Sequence, residues 1–178
     1  MKAVISIVLI ISTSIFCQGV KFFGEDITFK INKEYFIVDG IYWFFNETDK
    51  LVEKIIYYPF PTDYATGEVD SISIYNISEQ REEIALEISD NGLRYLLLMA
   101  ANDTTIYRIG YRQKVRNGCA KYILTSTSEW NRPLELAKYK LIADDKAETD
   151  QFSYEPDRLY ELDNEKIFFW ERRNFLPE

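Results

Sequence analysis

The 178-residue chain contains no histidine, only 2 cysteines, 7 glycines and 5 prolines. Without histidine it cannot form a Ser-His-Asp or Cys-His nucleophile system, a His-ligated zinc site or the two-histidine motif of metalloproteases. The low glycine and proline content, with 47% hydrophobic and 16% aromatic residues, excludes a collagen-like or disordered chain. The length and composition therefore suit one domain with a substantial core.

Positive charge is also scarce. Lys and Arg number 21 against 29 Asp and Glu, which gives a formal net charge of -8. An acidic chain repels phosphate backbones, and no local basic stripe compensates for this charge. Nucleic acid is therefore not an expected partner.

The one long apolar run stands at the N-terminus. Residues 3–16 are uncharged and largely apolar, and Cys17 and Gly19 are the small residues that a signal peptidase reads at the end of such a run. The run is shorter than the roughly 20 residues that a membrane-spanning helix needs. We therefore expect residues 1–19 to be a cleaved signal peptide and residues 20–178 to form a single secreted or periplasmic domain with no membrane span. Lipidation of Cys17 is the alternative.

Cleavage of this signal would leave Cys119 as the only cysteine, so no intramolecular disulfide is expected. No histidine is present to activate the thiol, and we interpret Cys119 as a small packing residue beside the turn Asn117-Gly118. The domain should therefore hold together by packing alone.

A period of two runs through most of the chain. The alternating segments are 27–31, 51–58, 83–88, 107–112 and 137–141. Such alternation puts apolar side chains on one face of a strand and polar ones on the other. Turn sequences separate the segments, among them Asp90-Asn91-Gly92 and Arg116-Asn117-Gly118. The pattern predicts an all-β fold, an antiparallel β-sandwich of about nine or ten strands that is immunoglobulin-like in architecture.

Two consecutive aromatic segments carry a resemblance to known domains. Residues 38–46 read VDGIYWFFN and residues 54–61 read KIIYYPFP. An aromatic strand that ends in Asn, followed by one that ends in aromatic-Pro-Phe-Pro, resembles the vault/inter-alpha-trypsin (VIT) domain and uncharacterised bacterial secreted domains. Residues 130–134 and 174–177 resemble the bacterial group. The resemblance implies a VIT-like, all-β sandwich outside the cytoplasm and implies no particular activity.

Aromatic residues are dense between positions 35 and 60. Because neighbours along a strand face opposite ways, some of these rings should lie on an outer face, where aromatic patches bind carbohydrate, peptide or protein. Pro59 and Pro61 lack N–H donors, so the strand should end here with Phe60 held between them. Burial of the rings on both faces is the alternative to an exposed patch. The candidate contact residues are Tyr42, Trp43, Phe60 and Trp130.

Carboxylates are the only abundant candidates for catalysis or metal binding. A glycosidase needs two of them about 5–10 Å apart beside an aromatic surface. Adjacent acids occur at Glu82-Glu83 and Asp144-Asp145, and Glu129 precedes a tryptophan, but neighbours on one strand face opposite ways. The acidic segment 143–151 has oxygens that suit calcium but lacks the spacing of an EF-hand. We predict no catalytic, metal-binding or cofactor-binding residues.

The leading hypothesis is an exported, non-catalytic binding or structural module of the periplasm, cell envelope or extracellular space. Its partner would be a protein or carbohydrate of the envelope. The alternative is a carboxylate-based carbohydrate hydrolase. Two acids in an exposed cleft beside Trp130 would favour the enzyme, and a filled sandwich with shallow surfaces would favour the module.

Overall fold

The computed structural model of the chain describes residues 19–63, 66–116, 120–124, 130–144 and 152–177. These residues form eleven strands in two sheets and contain no α-helix, so none of them forms a helix that could cross a membrane. The strands are β1 (Val20–Ile31), β2 (Tyr35–Asn46), β3 (Val52–Pro59), β4 (Thr66–Asn76), β5 (Arg81–Glu82), β6 (Glu87–Ser89), β7 (Gly92–Met99), β8 (Thr104–Val115), β9 (Leu134–Asp144), β10 (Arg158–Leu162) and β11 (Glu165–Phe175). Segment 1–18 and Cys119 lie outside the described residues, so the signal peptide and the role of the thiol stay predictions.

The eight-stranded sheet has the order β10-β11-β9-β1-β2-β8-β4-β5, and the three-stranded sheet has the order β3-β7-β6. The predicted all-β sandwich is thus confirmed. Its pairs are antiparallel except for β1 with β9, which run parallel. Parallel neighbours need a long connection, and β1 and β9 are separated along the chain by the strands β2 to β8.

Alternation along β2 is complete: each even-numbered residue is buried and each odd-numbered one is half-buried. The buried face meets β7, whose odd-numbered residues are buried as well. The side chains of this core from β7 and β8 are Leu93, Tyr95, Leu97, Met99, Tyr107, Ile109 and Tyr111. The centre of the sandwich therefore lies between β7 and the strands β2 and β8.

A bulge in β1 changes which of its residues face this core. The pairing with β2 shifts between Phe22 and Gly24, which leaves Phe23 as the extra residue. Before the bulge Val20 and Phe22 are buried, and after it Glu25 and Ile27 are buried. The extra residue thus turns a carboxylate toward the interior.

The short segment 120–124 and Trp130 cover part of the interior that the small sheet does not reach. Ala120, Tyr122, Leu124 and Trp130 are partly buried and pack against the core. Their position closes the sandwich beside β1.

Candidate functional site

A groove of about 400 Å³ opens between the two sheets, where the chain leaves β3. Its apolar lining consists of Phe60, Val69, Ile72 and Ile88. One wall is formed by β4 of the large sheet and the other by β6 and the turn after it. The volume lies within the range of small-molecule sites, about 300–1,000 Å³.

Buried polar side chains fix the segment that forms one end of the groove. Gln113 Nε2 donates to the carbonyl oxygens of Pro61 and Gly67, each at 2.9 Å. Thr66 Oγ1 donates to the same Pro61 oxygen at 3.0 Å. Because these bonds replace the ladder that ends at Pro59, Phe60 is held against the groove with only 2% of its surface exposed. The groove is therefore built from fixed elements.

Two of the acidic residues that line the groove have cationic partners in the protein. Asp63 forms an ion pair with Lys121, and Glu68 lies 3.6 Å from Lys114 Nζ. These charges are therefore partly compensated within the protein.

Asp90 and Arg116 line the same groove, and neither side chain forms a hydrogen bond or an ion pair in the described part of the chain. Asp90 lies in the turn after β6, in the small sheet. Arg116 directly follows β8, in the large sheet. Opposite charges thus stand on the two walls without pairing with each other.

A second polar region lies deeper in the sandwich and consists of Glu25, Tyr139, Tyr42, Tyr58 and Tyr122; we call it the tyrosine–glutamate cluster. Tyr139 Oη donates to Glu25 Oε1. Burial raises the pKa of Glu25 to about 7, and the hydrogen bond from Tyr139 only partly offsets this. Glu25 is 2% exposed, so the carboxyl does not face solvent.

The three hydroxyls of the cluster's other tyrosines bond to one another. Tyr42 Oη lies 2.8 Å from Tyr58 Oη and 3.0 Å from Tyr122 Oη. Burial raises the pKa of all three hydroxyls, so they stay protonated. Gly40 makes room for this arrangement, since a Cβ at that position would lie 2.3 Å from Tyr42 Oη. The cluster joins β2, β3 and the covering segment.

A chain of ring contacts connects the cluster to the groove. Tyr58 and Phe60 are 6.1 Å apart between ring centroids, and Phe60 and Tyr111 are 5.0 Å apart. Tyr111 Oη is buried and has no hydrogen-bond partner among the described residues. The groove therefore rests on the same aromatic core as the cluster.

A third feature is an apolar surface on the outward face of the three-stranded sheet. Ile55, Tyr57 and Leu96 are 58%, 43% and 38% exposed, and Ile55 pairs with Leu96 across β3 and β7. Tyr57 links this surface to the turn after β6, because its hydroxyl donates to the carbonyl oxygen of Asn91 at 2.6 Å. It offers contact area but no enclosed volume.

The four predicted contact residues lie in different places. Tyr42 is part of the buried cluster, and the next residue, Trp43, is half-buried on the opposite face of β2. Phe60 lines the groove. Trp130 is half-buried against Phe22 and Phe44, on the inner side. The structure thus does not bring the four side chains into one surface.

The acidic candidates are also dispersed. Trp130 has Lys54 Nζ 5.2 Å from its ring centre, while Glu129 and residues 145–151 lie outside the described part. Glu83 accepts a bond from Arg81 at the edge of the large sheet. Among the described residues no three acids or cysteines gather at a site that could hold a metal. The hydrolase alternative and the calcium interpretation of segment 143–151 stay predictions.

Among the residues of these sites that sequence reasoning missed are the charged residues Asp90, Arg116 and Glu25. Asp90 and Arg116 stand out in the sequence only as the first residues of two Asn-Gly turns. Glu25 follows Gly24 where the alternation of β1 is interrupted, and that interruption is the available signal for a bulge. Of the predicted contact residues, Phe60 is the one that lines the groove.

Comparison with known proteins adds information on the fold. No protein-family model and no curated protein sequence matches the chain. Among solved structures, a candidate nutrient-binding protein of Legionella pneumophila superposes with a TM-score of 0.67 at 12% identity, over 90% of this chain and 64% of that one. An M1 zinc metallopeptidase of Deinococcus radiodurans superposes with a TM-score of 0.52 at 9% identity, over 88% of this chain and 39% of that one.

At such identities these likenesses show a shared fold and nothing finer. The chain spans less than two thirds of the length of either protein. The M1 enzyme is a zinc peptidase, whereas this sequence has no histidine for the two-histidine zinc motif. The resemblance to the VIT domain stays a prediction.

Proposed function

We propose that this chain is a non-catalytic binding module that acts after export, in the periplasm, cell envelope or extracellular space, and that its ligand site is the groove between the sheets. The observation that carries this proposal is a groove with an apolar lining and two opposite charges, Asp90 and Arg116, that have no partner in the part of the chain that the structure describes. A concave apolar site with a few polar groups is the usual form of a small-molecule site. The Legionella protein of similar fold, described as a candidate nutrient-binding protein, supports the same class of function.

Export is supported by the apolar run 3–16 and the small residues that follow it. We expect the mature protein to begin near Val20. N-terminal sequencing of the protein recovered from the envelope and periplasmic fractions tests this. An intact N-terminus in the cytoplasmic fraction would contradict export and leave the groove unaffected.

Binding at the groove is tested by two-dimensional NMR of the amide groups during titration with a mixture of amino acids, sugars and organic acids. We expect shifts that concentrate at the lining residues, such as Val69 and Ile88. The variant Ile72→Trp fills the groove and should abolish the shifts. Its matched control is Ile55→Trp, on the exposed face of the small sheet, which should bind as the wild-type protein does. Shifts confined to other surfaces, or none, would overturn the proposal.

A further inference from the structure

Building on the proposed function of the groove, we infer that its ligand is a small zwitterion with an apolar body, the chemistry of an apolar amino acid or a short apolar peptide. Asp90 would hold the ammonium group and Arg116 the carboxylate. The apolar part would lie on Val69, Ile72 and Ile88.

The first step of the argument is the placement of the charges. Asp90 belongs to the turn between β6 and β7, and Arg116 to the end of β8, so the two sheets hold them on opposite walls. They do not pair with each other, and no other described side chain pairs with them. A ligand that carries both charges can form a charge-assisted bond to each wall at once.

The second step compares these residues with the other charges on the rim. Asp63 and Glu68 already have lysine partners, so the protein compensates them without a ligand. Of the four charged side chains in the lining, Asp90 and Arg116 are therefore the two left for a ligand. Arg116 supplies the planar donor pair that suits one carboxylate.

The third step is the lining between the charges. Val69, Ile72 and Ile88 offer an apolar surface, which suits an apolar side chain. Thr62 and Ser89 add hydroxyl groups beside it. A groove of about 400 Å³ holds a molecule of amino-acid or dipeptide size.

The test uses four probes that share one ring. L-phenylalanine carries both charges, L-phenylalaninamide only the ammonium, N-acetyl-L-phenylalanine only the carboxylate, and alanyl-phenylalanine both charges at a longer distance. The titrations are run at about pH 6, where the ammonium groups are charged. We expect each singly charged probe to bind about tenfold more weakly than the better zwitterion, since each loses one charge-assisted bond. Tighter binding of L-phenylalanine would indicate a free amino acid as the ligand, and tighter binding of alanyl-phenylalanine would indicate a peptide.

Variants of the two walls assign each charge. Asp90→Asn should lower the affinity for the zwitterions and the amide about tenfold and leave the affinity for the N-acetyl probe unchanged. Arg116→Gln should lower the affinity for the zwitterions and the N-acetyl probe about tenfold and leave the affinity for the amide unchanged. The controls Asp49→Asn and Arg158→Gln change exposed charges away from the groove and should have no effect. If the singly charged probes bind as tightly as the zwitterions, or if both wall variants bind the zwitterions as the wild-type protein does, the inference of a zwitterionic ligand is overturned. The groove would then be a site for another class of ligand. If neither these probes nor the metabolite mixture shifts the groove amides, the proposed function fails as well.

Discussion

The tyrosine–glutamate cluster and the groove both place polar groups against the same aromatic core, yet the two regions differ in whether those groups have partners within the protein. In the cluster, the carboxyl of Glu25 and the hydroxyls find partners inside the protein. In the groove, the side chains of Asp90 and Arg116 have no partner among the described residues. The ring contact between Tyr58 and Phe60 joins the two regions, so both belong to one continuous core.

The difference teaches which polar residues hold the fold and which are left for a ligand. A buried polar group without a hydrogen-bond partner costs free energy of folding, so the polar groups of the cluster hydrogen-bond to one another. Exposed charges stay hydrated without a partner and can exchange water for a ligand. The cluster should therefore respond to mutation in stability, and the groove should respond in binding.

The largest expected effect concerns the pH dependence that Glu25 gives to stability. Its pKa is about 7 in the folded protein against an ordinary 4.5, so folding takes up a proton between these values. The free energy of unfolding should fall as the pH rises from 4.5 to 7, by about 3 kcal/mol in total, and the contribution is complete only below pH 4.5. Glu25→Gln cannot ionise and should remove this fall, as urea unfolding at several pH values will show.

Asp26 provides the control for that measurement, because its side chain points to the opposite face of β1. Asp26→Asn should keep the same fall in stability as the wild-type protein. If the curves of Glu25→Gln and the wild-type protein run parallel between pH 4.5 and 7, Glu25 does not take up the proton.

The next effect concerns the space that Gly40 leaves for the cluster. Gly40→Ala would place a Cβ 2.3 Å from Tyr42 Oη and force the hydroxyl away from its partners. We expect a loss of about 1–3 kcal/mol in thermal or urea unfolding, typical of overpacking. Gly24→Ala is the matched control, since its Cβ would meet nothing closer than 3.4 Å. Equal losses in the two variants would show that Tyr42 does not depend on Gly40.

A smaller effect separates two buried tyrosines. Tyr42→Phe removes a hydroxyl with two partners and should cost about 1 kcal/mol. Tyr111→Phe removes a buried hydroxyl that has none among the described residues, so its stability should stay equal or rise slightly. Urea unfolding at one pH suffices for both. A larger loss in Tyr111→Phe than in Tyr42→Phe would reverse the comparison.

The alternation in the sequence predicts much of the fold but not the burial of every segment. The period of two locates the strands around Ile27 and Tyr107, and the prolines mark the end of β3 at Pro59. The same pattern in 83–88 predicts a strand with a buried face, yet residues 83–86 lie between β5 and β6 outside any strand, and Ile84 is 88% exposed. Alternation shows which side chains a strand could bury, whereas a covering sheet decides whether they are buried.

The sites depend on contacts between distant segments, which a single sequence does not contain. Glu25 faces inward only because Phe23 is an extra residue in the pairing of β1 with β2. Asp90 and Arg116 face one groove only because two sheets bring their turns together. Phe60 was a predicted contact residue because its two flanking prolines mark a local constraint, and local constraints are visible in sequence.

The most direct measurement is made on the double variant Asp90→Asn/Arg116→Gln, which leaves the net charge unchanged. Urea unfolding and titration with the tighter-binding phenylalanine zwitterion are measured on the same sample. We predict a free energy of unfolding within about 0.5 kcal/mol of the wild-type value and an affinity at least about tenfold lower. Unchanged affinity, or a loss of stability that accounts for the loss of binding, would contradict the assignment of the groove as the ligand site.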